Sequence, residues 1–314
     1  MPRFDVTIAG ELNLDLIFYG LPPELPPERE LLASDMMLTL GSSSAIVAHN
    51  LAAMGCRVGF ISRIGDDPLG EIALQRLRDG GVDVSRVIRT AGAKTGLTTI
   101  LQRDTWRNML TYAGTIFDLK FDDLDLEYLS DARHFHLSSF FLQLGLRDRI
   151  PELFKKLKGA ELTISLDTND DPDDTWQAGL SEALRYVDVF LPNAREARGI
   201  SGLQDLRVAL DRLAATVPLV AIKNGMEGAI ARSRGQTYSV PAIKVDAVDA
   251  VGAGDSFDAG FLLEYLRGSD IPQCLATANA AGAFSTTRAG GTEAFRDSRY
   301  KAQFFRDRKI EIAK

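Results

Sequence analysis

Residues 249–262 read Asp-Ala-Val-Gly-Ala-Gly-Asp-Ser-Phe-Asp-Ala-Gly-Phe-Leu, and the pattern changes character half-way along. Gly252, Ala253 and Gly254 carry almost no side chain, so the backbone can turn tightly there and bring its N–H groups against a ligand. From Asp255 onward Phe257, Phe261 and Tyr265 recur every four positions with Leu262 beside them, and Gly268 follows as a C-terminal cap would. The spacing predicts a loop that becomes a helix. Its glycines sit at the helix N-terminus, where free N–H groups and the positive end of the dipole favour an anion such as phosphate. Asp255 reads in two ways. A carboxylate at this position caps a helix. Inside a phosphate cradle it also repels the ligand, and its use there is to accept a proton from an attacking hydroxyl.

The run Asp-x-x-Gly-Ala-Gly-Asp-x-Phe, followed by a helix of small residues, resembles the C-terminal signature of the ribokinase-like sugar kinases, the PfkB family. The resemblance implies that Asp255 is the catalytic base and that the backbone of Gly252, Ala253 and Gly254 forms an anion hole for the transferring phosphoryl group. Ala250 stands where that signature has a small hydroxyl or β-branched residue. The fold implied is a three-layer α/β/α kinase domain over residues 1–314, with a central, mostly parallel sheet and a small β-sheet lid.

Composition permits this. Hydrophobic residues at 45% and charged residues at 25% are ordinary globular values, so the chain can bury a full core. A net charge of −7 argues against nucleic-acid or membrane-surface partners, which need a basic patch. Cys56 and Cys274 lie in no metal-type or redox-type pair and read as buried spectators. Asp5, Glu11 and Asp15 interrupt any apolar leader and no run reaches transmembrane length, so a cytoplasmic location is expected.

Residues 4–8 form an apolar run ending at Gly10, and residues 11–18 alternate polar and apolar in strand fashion, which puts Asn13 and Asp15 on one face. By pattern alone that face is the solvated side of a strand. The resemblance implies instead that Gly10, Asn13 and Asp15 meet the hydroxyls of a sugar. Residues 21–30 are rich in proline and charge and read as an exposed connection, and residues 31–40 return to strand composition. Gly41, Ser42, Ser43 and Ser44 precede an apolar helix ending at Gly55. The resemblance implies substrate contacts at Gly41, Ser42 and Ser43. Ser42 stands where the family has a second glycine and Ile46 where it has an asparagine, with Asn50 one turn further on.

Residues 65–70, Gly-Asp-Asp-Pro-Leu-Gly, read as a turn with a helix starting at the proline. Residues 97–101 and 108–112 form a predicted hairpin. With residues 12–20 and 31–40, the segment 95–115 supplies the lid the resemblance implies, and Arg107 matches a lid arginine that contacts substrate. The acidic run 118–131 reads as loop and helix surface.

Beyond it strand-like and helix-like patterns alternate. Residues 134–137, 162–167, 187–191 and 219–223 read as buried parallel strands. A metal reading of His134 and His136 would need a third ligand, and His49 is the only other histidine. The acids of residues 167–171 end a strand and read mainly as caps and turns.

Asn193 as a cap with Glu196 three residues on is a capping arrangement. The resemblance makes it the Asn-x-x-Glu motif, which organises Mg²⁺ and its waters near the nucleotide phosphates. It further implies a nucleotide-side loop at Lys223, Gly225 and Gly228, an adenine-facing helix at Asn279, Gly282 and Ala283, and a K⁺-type cation loop of Asp249, Val251, Ser285, Arg288 and Gly290. Ala294 lacks the hydroxyl some relatives supply there. The function expected is ATP-dependent phosphorylation of a hydroxyl on a sugar or sugar-like substrate, with a homodimer through the lid. A nucleoside kinase on the same scaffold is the nearest alternative, and a non-catalytic sugar-binding regulator the alternative from another class. A dinucleotide-dependent dehydrogenase would need GxGxxG after the first strand, which residues 10–15 do not supply.

Overall fold

Short runs of Val, Ile, Leu and Phe, apolar on both faces, have to be covered on both sides, and that requirement organises the molecule. The computed structural model describes residues 1–103 and 106–312; the parts of the expected lid segment and kinase domain that fall on residues 104, 105, 313 and 314 lie outside them. The described strands are β1 (Phe4–Ala9), β2 (Leu14–Tyr19), β3 (Asp35–Leu40), β4 (Val58–Gly65), β5 (Asp83–Thr90), β6 (Leu97–Arg103), β7 (Trp106–Tyr112), β8 (Ala132–Leu137), β9 (Thr163–Leu166), β10 (Val189–Phe190), β11 (Leu219–Lys223), β12 (Ala229–Ser233) and β13 (Gln236–Val240).

Nine of them form one sheet in the order β13-β12-β11-β10-β9-β8-β1-β4-β5. Every pairing from β11 through to β5 is parallel, and only the β11–β12 and β12–β13 pairings, at one edge, are antiparallel. One apolar cluster covers one face, with Leu51, Leu74, Phe261, Phe284 and Phe305 from helices packed on Val6, Ile8 and Phe60. A second covers the other face, with Leu129, Phe154, Leu184, Ala197 and Leu210 packed on Phe135, Ile164 and Val220. The layers are therefore α/β/α.

Inside the first face runs a buried polar seam. His134 is hydrogen-bonded to Thr163 and Ser165, and His136 to Ser165 and Ser138, each at 2.7–2.8 Å. Each imidazole has two partners, so the histidine pair is satisfied as neutral core polarity. Burial pulls the His134 pKa down to about 3, with Lys158 and Arg133 adding to it.

The remaining four strands form a separate sheet, β3-β2-β6-β7. Strand β2 pairs antiparallel with β3 and parallel with β6, placing Asp15 beside Thr39 and Thr98. The inner face carries Asp15, Ile17, Thr39 and Ile100, all buried. On the outer face Leu14 and Leu40 are buried, but its far part is apolar and uncovered: Met36 and Tyr112 are each 57% exposed and Leu110 62%. Boundaries moved from the sequence reading. Strand β2 starts at Leu14, because Glu11 turns inward to hydrogen-bond partners, and β3 starts only at Asp35, after the proline-rich connection.

Candidate active site

The helix Ala253–Arg267 begins at Gly252, whose φ of 71° is a left-handed conformation that favours glycine. A side chain there would also place its Cβ 2.5 Å from the Gly291 Cα. No side chain caps the helix, and among the described residues the N–H groups of Gly252, Gly254 and Asp255 find no acceptor, while Ala253 makes one long bond of 3.4 Å to the Ala250 carbonyl. That is a cluster of oriented donors at a positive helix end. Asp255 lies in the first turn, 8% exposed. Burial pushes its pKa up to about 7, the Asp167 charge adds to this, and Lys223 and a Ser43 hydrogen bond oppose it.

The opposite wall is built around Gly41. A Cβ at Gly41 would collide with the Asp15 carboxylate and come 2.8 Å from the Asn13 amide, so these two side chains converge where position 41 has none. Asn13 precedes β2 and does not share its face as the alternation suggested, yet both residues reach the same point. Burial raises the Asp15 pKa to about 7, with the charges of Asp255 and Asp249 adding and Arg107, on the exposed β7, subtracting.

Ser42 takes a φ of 64°, a left-handed value that favours glycine. Its hydroxyl donates to the Glu11 carbonyl at 2.7 Å and accepts from the Ala45 N–H at 3.1 Å, which offsets the backbone strain. Gly10 leaves room for Ser44 and Gln143.

Several residues here were not singled out from the sequence. Glu11 is buried and accepts from Ser44 Oγ at 2.8 Å, from Ser139 Oγ at 2.9 Å and from Gln143. Asn169 joins the same network through Ser43 and Ser139. Asp167, read as a cap, lies 3.2 Å from Lys223 Nζ, although its Oδ1 has no well-aligned hydrogen bond.

Ile46 is 2% exposed and its side chain packs under Gly252 and Gly291. Asn50, one turn on, points the same way as Ile46: it donates to Ser256 Oγ and the Gly291 carbonyl, each at 3.0 Å, and so pins the glycine turn from below.

At the other end of the glycine turn, Asn193 caps the helix Ala194–Ser201 and forms a capping box with Glu196. Glu196 is buried; burial raises its pKa to about 8, with Asp167 adding and Lys223 subtracting. Gly225 and Gly228 both have positive φ in the β11–β12 turn, and a Cβ at Gly228 would strike the Val240 carbonyl. Asn279 donates to the Val240 and Pro241 carbonyls at 3.1 Å. Gly282 lets its helix approach the Ala253 carbonyl, and Ala283 is half-buried beside it.

In the candidate cation loop, Asp249 accepts from Val251 N–H at 2.9 Å, Gly290 N–H at 3.0 Å and the Tyr19 hydroxyl at 3.1 Å. Ser285 Oγ donates to Gly282 and Arg288 pairs with Asp297. These side chains hold the loop; cation ligation there would fall to backbone carbonyls.

A family model described as pfkB family carbohydrate kinase matches residues 3–298. The chain belongs to this family. It is therefore a carbohydrate kinase. It is 31% identical over 292 residues to an ATP-dependent ribose-1-phosphate kinase of Halopiger xanaduensis, covering 92% of this chain and 94% of that one. To a 2-dehydro-3-deoxygluconokinase of Bacillus subtilis it is 30% identical over 267 residues, covering 80% and 82%. The fold matches that of a putative ribokinase II from E. coli in its apo form, at a TM-score of 0.86 and 23% identity over 97% of this chain and 99% of that one. The same E. coli protein has also been solved with ATP and Mg²⁺, at a TM-score of 0.84, 23% identity and coverage of 97% and 99%. Among the described residues, no helix is long and apolar enough to cross a membrane.

Proposed function

We propose that this pfkB kinase transfers the terminal phosphoryl group of ATP to a hydroxyl of a sugar or sugar-like acceptor, with Asp255 as the general base. The observation that carries the reading is the first turn of the Ala253–Arg267 helix. Unspent N–H donors and a buried carboxyl raised to about 7 lie within one turn of each other. The acceptor hydroxyl would sit between Asp255 and Asp15. Asp15 and Asn13 orient it through neighbouring hydroxyls, Gly10, Gly41, Ser42 and Ser43 shape the floor, and Arg107 closes from the second sheet. Asp255 takes the hydroxyl proton as the oxygen attacks, and Gly252, Ala253 and Gly254 receive the charge of the transferred group.

For Mg²⁺ the donor set fits an ion held mainly by phosphates and water. Among the described residues no three acidic, histidine or cysteine side chains are grouped as a metal cage, while the carboxylate of Glu196 beside Asn193 suits outer contacts. When bound, the ion neutralises phosphate charge. Lys223, Gly225, Gly228, Asn279, Gly282 and Ala283 border the nucleotide end. A K⁺-type ion at Asp249, Val251, Ser285, Arg288 and Gly290 would use carbonyls, since Asp249 already serves three donors.

The uncovered outer face of the second sheet supports self-association with a second copy of the chain, since an apolar patch repeated on each copy is self-complementary. Sedimentation of wild type against Leu110→Asp tests this; a wild-type monomer at micromolar concentration excludes it. The catalytic reading is tested by ADP release over a panel of sugars and nucleosides. Loss of the response in Asp255→Asn is expected, and a panel on which wild type releases no ADP would sink the proposal.

A further inference from the structure

Behind the glycine turn Lys223 sits in a charge cluster whose two carboxylates, Asp167 and Asp258, the chemistry above does not use. Lys223 ends β11, and its Nζ lies 3.1 Å from both carboxylate oxygens of Asp258 and 3.2 Å from Asp167 Oδ1. Its side chain is 11% exposed and that of Asp258 0%. A Cβ built on Gly254 would be 3.7 Å from this ammonium, so the charge passes directly under the turn. Burial works against a charged Lys223, but Asp167, Asp258 and Glu196 outweigh it and raise its pKa. Burial raises the Asp258 carboxyl too, with Lys223 opposing. The ammonium approaches both Asp258 oxygens equally, the bidentate arrangement of a charge-assisted pair.

Asp258 is one helical turn beyond Asp255 and reaches no solvent, so it cannot touch either substrate. Charged groups face Asp255 from several elements. Glu11 and Asp15 face it from the acceptor side, Asp167 from the end of β9, Asp258 from its own helix, and Lys223 is the cation among them.

Building on Asp255 as the base, we propose that Lys223 is a positioning residue: clamped by Asp258 and Asp167, its buried charge keeps the Asp255 carboxylate ionised and available to take the acceptor proton. Asp258 and Asp167 engage the ammonium at 3.1 and 3.2 Å, which distinguishes this role from a direct grip on the nucleotide.

The test is the pH dependence of kcat/KM with the best acceptor, at constant saturating Mg²⁺ and ATP, in three variants. Lys223→Met should move the acid limb upward by about 1 pH unit, the usual scale for a close opposite charge, and activity should recover at high pH. Asp258→Asn should move the limb downward. The double variant, which removes one charge of each sign, should return it close to the wild-type position. A packing role would not produce shifts of opposite sign. If Lys223→Met does not fold, as judged by thermal melting, the direction of the Asp258→Asn shift decides alone. A rate lowered equally at every pH and not rescued in the double variant would assign Lys223 to the phosphates and overturn the inference. An unmoved limb would overturn it as well. Full turnover in Asp255→Asn would instead overturn the base reading, which separates the two failures.

Discussion

The Tyr19 hydroxyl donates a 3.1 Å hydrogen bond to the Asp249 carboxylate, tying the end of β2 in the second sheet to the loop that leads into the glycine turn. Burial, with Asp249 next, pushes the Tyr19 pKa upward, so the tyrosine stays a donor. Asp249 also accepts the Gly290 N–H, and the three segments are fixed through one carboxylate.

Removing this tie should loosen the sheet without removing a reacting group. Tyr19→Phe is expected to raise the KM for the acceptor by roughly tenfold, the scale of a lost hydrogen bond to a charged group. The KM for ATP should change less. Equal KM values in wild type and variant would show that the tie does not position the sheet.

Asp255→Asn should lower kcat by about 10²- to 10⁴-fold. It should also stabilise the protein. The folded pKa of about 7 lies above the ordinary 3.8, so the native state holds a proton the unfolded chain has lost, and this contribution to wild-type stability fades as pH rises from 4 through 7. The variant's advantage should therefore grow over that window, to on the order of 1–4 kcal/mol at neutral pH. Denaturant titrations at pH 5 and pH 8 check it.

Glu196→Gln should raise the Mg²⁺ concentration needed for half-maximal rate. A purely capping Glu196 would cost about 1 kcal/mol of stability and leave the metal dependence unchanged. Kinetics over a Mg²⁺ series, set beside a thermal melt, separate the two.

Asp15→Ala is expected to raise the acceptor KM or abolish turnover, because an ionised carboxylate accepts from two neighbouring hydroxyls. Gly41→Ala should do the same by displacing Asp15 and Asn13, without touching their chemistry. Unchanged kcat/KM in both variants would place the acceptor elsewhere.

For His134, a folded pKa of about 3 against an ordinary 6.5 means that the unfolded chain binds a proton the native state refuses. Stability is lost as pH falls below 6.5. The gap in unfolding free energy between wild type and His134→Phe should shrink by about 1.4 kcal/mol per pH unit between 6.5 and 4. A gap independent of pH would contradict the buried neutral state.

What the sequence disclosed follows from the range of the forces involved. The glycine turn and its helix, the Asn193 cap and the parallel strands are set by residues near one another in the chain, and they are where the local pattern puts them. Ser42 shows the limit of substitution reading: it departs from glycine in identity and keeps glycine's backbone conformation. Glu11 and Asp167 escaped notice because their partners are remote. Glu11 meets Ser139 across 128 positions, and no spacing rule connects them. The packing of Ile46 is out of reach of local pattern for the same reason, since its neighbour Gly291 comes from the far end of the chain.

The bond from Asn50 to Gly291 spans 241 positions, and it carries a consequence for synthesis on the ribosome. The chain emerges with the acceptor floor first and the base almost last, so for most of translation β1 waits between partners that arrive separately, first Val58 and then His134. Throughout that interval the outer strands of the second sheet present apolar faces with nothing opposite. A chain halted before residue 250 would carry Asp15 and Asn193 yet possess no base and no pinned turn, leaving it catalytically silent and prone to associate through its exposed strands.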